Sequence, residues 1–66
     1  MKCTVNGELR ELPDQTTVEG LVELLGLGGA VCAAEVDKKI VPRRERSETV
    51  LLDGQTVEIV TLVGGG

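Results

Sequence analysis

The residues with the clearest chemical potential stand at one end of the sequence. Val63-Gly64-Gly65-Gly66 closes a chain of 66 residues. A glycine run has no side-chain bulk and reaches backbone angles closed to other residues. It can thread a narrow channel and carry the carboxylate of Gly66 to an active site on another protein, with the chain as substrate. Short glycine runs also serve as linkers, so the rest of the sequence has to decide. Cys3 and Cys32 are too few for a disulfide framework and lack metal-ligand spacing; they read as small buried hydrophobes on strands. Histidine is absent, which excludes any His-based acid, base or metal site. No nucleophile stands beside a base. Gly26, Gly28 and Gly29 lack the spacing of a phosphate loop and the Lys-Ser or Lys-Thr that would follow it.

The composition agrees with a protein that is acted upon. So short a chain makes one thin core and no deep pocket of its own, which argues against a self-contained enzyme. Its hydrophobic content of 41% and charged content of 27% are those of a globular domain. With no aromatic residue present, the core must be built from Val, Leu, Ile and Ala. A formal charge of −4 argues against nucleic acid, which selects basic faces. It suits docking on a basic patch of a larger protein. The opening Met1-Lys2-Cys3-Thr4-Val5 turns polar at once, unlike a secretory leader, and no apolar run reaches spanning length. The expected location is the cytoplasm, with neither a membrane nor nucleic acid as partner.

The elements that must position the tail follow from periodicity. Met1, Cys3 and Val5 alternate with Lys2, Thr4 and Asn6 as a half-buried strand. Asn6-Gly7 is a hairpin signal, and Glu8 to Leu12 returns until Pro13 stops it. Thr16-Thr17-Val18-Glu19 matches a capping box with Thr16 as the cap. Val18, Leu21, Val22 and Leu25 form one apolar helical stripe, closed by Gly26 as a left-handed cap. Gly20 interrupts the helix at a cost of about 1 kcal/mol, a place for close packing on the sheet. Ala30 to Val36 reads as a strand with Cys32, Ala34 and Val36 on one face. Ile40-Val41 is a short extended piece ended by Pro42, and Arg43 to Glu48 is irregular with one short helical turn. After the Asp53-Gly54 turn, Thr56 to Leu62 is the strongest strand, rich in β-branched residues.

One amphipathic helix must bury its stripe against a sheet. The expected fold is therefore α+β, one helix across a mixed sheet of four or five strands. The helical crossover allows the strand after it to run parallel to its neighbour. Residues 1–62 form the domain and 63–66 the flexible glycine tail.

On the last strand, Val57 and Ile59 should face the helix. Glu58, Val60 and Leu62 then face the opposite side, where no second layer is available. Apolar residues adjacent on that face and leading into the tail point to a docking patch; the alternative is cover from the 43–48 loop. Arg43, Arg44 and Arg46 form a basic cluster, either a solvated face or a contact for an acidic patch on a partner.

Ile40-Val41-Pro42-Arg43, the Asp53-Gly54 turn before the last strand and the ending Val63-Gly64-Gly65-Gly66 together resemble the ThiS family, the sulfur carriers of thiamine biosynthesis, over essentially the whole chain. The resemblance implies the ubiquitin-like β-grasp fold. It implies that Gly66, preceded by Gly65 of the family's diglycine, is adenylated by a ThiF-type enzyme using ATP. A persulfide from a donor such as a cysteine desulfurase then converts it to a thiocarboxylate, which gives its sulfur to a ThiG-type thiazole synthase. The carrier needs no permanently bound cofactor, metal or catalytic side chain. Gly64 extends the tail without a role of its own. Val60, Leu62, Glu58 and Arg43 are the expected partner contacts. Two rivals share the terminus: the small subunit of molybdopterin synthase, and a ubiquitin-like modifier joined to lysines. The former is usually longer, with aromatic residues near its tail, and this chain has neither trait.

Overall fold

Cys3 and Val5 are buried while their neighbours reach solvent, so the alternation at the start of the chain is a strand, β1 (Lys2–Val5). Asn6 and Gly7 both hold positive φ, 50° and 83°, and turn the chain into β2 (Glu8–Glu11), whose four residues are all exposed. The expected strand ran to Leu12. That residue instead turns inward and is buried, tied at its amide and carbonyl to the backbone of Met1. A computed structural model describes residues 1–62; Val63 and the glycines 64–66 lie outside the described residues.

The helix α1 (Val18–Leu24) buries Val18, Leu21 and Val22. Its cap is Thr17 rather than Thr16: the Thr17 hydroxyl accepts from the Gly20 amide at 3.0 Å. Thr16 donates its own hydroxyl to the Pro13 carbonyl at 2.6 Å. Glu19 does not close a capping box, and its amide donates to the Arg46 carbonyl. Gly20 stands close to the cap and not to the sheet, since a Cβ there would meet the Thr17 hydroxyl at 3.3 Å. At the far end Gly26 takes φ +78°. Its amide reaches the Glu23 carbonyl and that of Leu27 reaches Val22, the paired bonds of a Schellman stop.

β3 (Cys32–Val36) places Cys32, Ala34 and Val36 inward as the alternation requires. Asp37 and Lys38, both at positive φ, turn it into β4 (Lys39–Val41). A single 3₁₀ turn, Arg43–Glu45, follows, and β5 (Thr56–Thr61) closes the sheet. The five strands lie in the order β2-β1-β5-β3-β4. β1 and β5 are parallel, and the other pairs are antiparallel. The parallel partner expected of the strand after the helix is therefore corrected: β3 runs antiparallel to β5, because β5 takes the place beside β1. Helix and sheet share one apolar core of Val, Leu, Ile, Ala and the two cysteines. This is the ubiquitin-like β-grasp, with the last strand at the centre of the sheet.

Candidate docking face at the root of the tail

The two sides of β5 do different work. Val57 and Ile59 are buried under the helix, while Glu58, Val60 and Leu62 point away from it. Val60 is 55% exposed and Leu62 57% exposed, so the 43–48 loop does not cover them. That loop packs on the helix side, where Val18 donates to the Thr49 carbonyl and Glu19 to that of Arg46.

Register extends the face to residues that the sequence reading had not singled out. Val60 lies opposite Ala33, and the Leu62 amide donates to the Val31 carbonyl at 2.9 Å, one step further along the same ladder. Ile40 lies opposite Glu35 on β4. Val31 is 61% exposed and Ile40 72% exposed. The signal for Val31 and Ala33 was already in the alternation, since both are out of phase with Cys32 and Ala34. That they neighbour Val60 and Leu62 required the strand order.

Arg43 does not join this face. It is exposed beside Arg44, Ser47 and Glu19 in a shallow hollow at the start of α1. The expected three-arginine cluster is also corrected, because Arg46 is only 6% exposed. Its guanidinium donates from Nη2 to the Cys32 carbonyl at 2.5 Å and from Nη1 to Cys32 Sγ at 3.6 Å. Its Nε has no partner among the described residues. The arginine bolts the loop onto the first residue of β3, a role that a charged run does not reveal. Both cysteines are unpaired and buried, with Cys3 donating to the Leu52 carbonyl. Gly64, Gly65 and Gly66, the residues expected to carry the chemistry, lie outside the described residues. Among the described residues no helix is long and apolar enough to cross a membrane.

A helix grasped by a five-stranded sheet, with an uncovered apolar face running to the residue before a glycine tail, defines a β-grasp protein of the ubiquitin-like class. The ThiS family model matches residues 3–66, and the chain belongs to that family. ThiS itself is a small sulfur carrier protein of thiamine biosynthesis. The fold is similar to the crystal structure of the thiamine biosynthesis protein ThiS from Geobacter metallireducens. That likeness has a TM-score of 0.83 and 28% identity and covers 100% of both chains. All 66 residues are 38% identical to part of a thiazole synthase from Paramagnetospirillum magneticum. They are 36% identical to part of another from Magnetococcus marinus. The chain spans 20% of the length of each of these relatives. An uncharacterized protein, ycf40, from Porphyra purpurea is 31% identical over 94% of this chain and 87% of its own length.

Proposed function

We propose that this chain carries sulfur as a thiocarboxylate on Gly66 and delivers it for thiazole formation. Free carboxylate is a poor acyl donor because oxide is a poor leaving group. An adenylating enzyme joins the Gly66 carboxylate to the α-phosphate of ATP, releasing pyrophosphate. A persulfide sulfur then attacks the terminal carbonyl and AMP departs. A second thiol cleaves the resulting sulfur–sulfur bond, taking the donor sulfur into a disulfide and leaving the thiocarboxylate on Gly66. None of these steps needs a side chain of the carrier. The carrier's part is to present the tail and to be recognised.

The observation that carries the reading is the uncovered face of β3 and β5, which continues without interruption to Leu62. A partner seated there also receives whatever follows Leu62. Val60 and Leu62 are its apolar anchors. Thiazole synthase as the acceptor is supported by the two relatives of that name, in which a segment like this chain shares a polypeptide with a larger remainder. The ThiF-type enzyme and a desulfurase-derived persulfide complete the proposed partners, acting in the cytoplasm.

The test is intact-protein mass spectrometry after incubation with a ThiF-type enzyme, ATP and a persulfide donor. A gain equal to one sulfur for one oxygen, mapped to Gly66 and absent when Gly66 is deleted, is the expected result. An isopeptide to a lysine of another protein would instead identify a modifier. An unchanged mass with an enzyme active on its own carrier would overturn the proposal.

A further inference from the structure

Arg46 is a buried cation for which the fold supplies no anion. It is 6% exposed, and a guanidinium stays charged inside a protein. Among the described residues no carboxylate forms an ion pair with it. Its side-chain hydrogen bonds both go to Cys32, to the carbonyl at 2.5 Å and to Sγ at 3.6 Å. Its Nε has no partner among the described residues. A charge buried unpaired, with a donor unspent, is costly, and a core of Val, Leu, Ile and Ala does nothing to offset it. The same guanidinium is aimed at an unpaired thiol. Cys3 has the opposite surroundings, being 0% exposed with its thiol donating to the Leu52 carbonyl. Cys32 is the most exposed member of the core, at 9%, and opens β3 opposite Thr61, at the end of β5 that leads into the tail.

We propose that Cys32 is a second sulfur site, which takes a sulfane sulfur from a persulfide and holds it as a persulfide anion against Arg46. The exchange balances without an oxidant. Cys32 Sγ attacks the outer sulfur of the donor persulfide, so a new sulfur–sulfur bond forms while the donor's own breaks. The donor leaves as its thiol, with the proton that Cys32 gives up. A hydropersulfide is a stronger acid than the thiol it comes from, so the product is an anion at neutral pH. A guanidinium without a counterion favours that product over the neutral thiol, because hydrogen bonds to an ionised acceptor are the stronger ones. Persulfidation is a reversible cap, and a second thiol takes the sulfur off again. The donor is of the class proposed for Gly66, but the step uses no ATP, no adenylating enzyme and no tail.

The experiment equilibrates the full chain with glutathione persulfide and glutathione at a series of ratios, without ATP or an adenylating enzyme. Mass spectrometry maps the added sulfur. The position of equilibrium does not depend on how easily a donor reaches the thiol, so burial alone cannot produce a preference. Each cysteine is compared in the native protein and in the urea-unfolded chain. At Cys32 the exchange constant is expected to be at least tenfold larger in the native protein, and at Cys3 no larger. A smaller ratio at Cys32, or an equal gain at Cys3, would overturn the proposal. Arg46→Met should abolish the gain; a folded R46M variant that keeps it would overturn the role of the guanidinium. Should R46M fail to fold, the wild-type comparison still decides. Deleting Gly66 should change nothing. A sulfur lost with Gly66 sits on the tail, and the Cys32 site then falls while the thiocarboxylate reading stands.

Discussion

Asn6 is where a single side chain stands in for a strand. β1 turns away after Val5, yet β5 continues beside it. The Asn6 amide donates to the Val57 carbonyl at 2.9 Å. Its Oδ1 accepts from the Ile59 amide at 2.8 Å, a partly buried bond. Removing Oδ1 leaves that amide without a partner, which costs about 1–3 kcal/mol. Asn6 also holds φ 50°, where a residue with an ordinary Cβ loses roughly 1–2 kcal/mol and Asn much less. Asn6→Gly removes the acceptor without backbone strain, so it should cost about 1–3 kcal/mol. Asn6→Ala adds the strain and should cost about 2–5 kcal/mol, by adding the two ranges. Asn6→Asp keeps an acceptor and tolerates the angle, so it should lose less than either. A domain of 66 residues has roughly 3–10 kcal/mol of stability in all, so the alanine variant should be visibly destabilised. Urea unfolding at constant m-value reads all three. An alanine variant within about 0.5 kcal/mol of wild type, the level of an ordinary surface change, would refute the account. So would an aspartate variant as unstable as the glycine one.

Thr17→Ala should cost about 1 kcal/mol through loss of the helix cap. Thr16→Ala should cost less, since its one hydroxyl bond is exposed; chemical denaturation that ranks Thr16 above Thr17 would contradict the cap assignment. Gly26→Ala should lose about 1–2 kcal/mol from backbone strain alone, because a Cβ there meets nothing within 4 Å. Gly26→Asn should recover much of that loss in the same unfolding assay. The paired change Val60→Asp and Leu62→Asp should leave the circular dichroism spectrum native, both positions being more than half exposed, while weakening binding to the adenylating enzyme at least tenfold.

Where the pattern was local, the sequence was readable. Alternation over residues 1–6, the Asn6-Gly7 turn and the inward set Cys32, Ala34 and Val36 needed no knowledge of distant segments, and the helical stripe needed only its own period. The cap was misplaced because two threonines stand side by side. Thr16 has the glutamate at the right spacing, and the choice is made by Thr49 and Val50, which pair with this stretch from far along the chain. Arg46 was placed with its charged neighbours because nothing within the 43–48 segment shows that the Cys32 carbonyl waits above it. Glu58, Val60 and Leu62 could be assigned to one face from β5 alone. Their neighbours Val31, Ala33, Glu35 and Ile40 could not, since adjacency across strands depends on the order in which the sheet is assembled.

The central position of β5 has a mechanical consequence. A partner that draws in the chain beyond Leu62 pulls on a strand held on one side by β1 and on the other by β3. Tension along β5 loads those two rows of hydrogen bonds side by side, in shear, whereas the same pull on an edge strand such as β2 could break them one after another. The domain is therefore built to resist being unravelled by a pull from beyond Leu62, and a partner of the kind proposed can hold that segment taut without first opening the sheet.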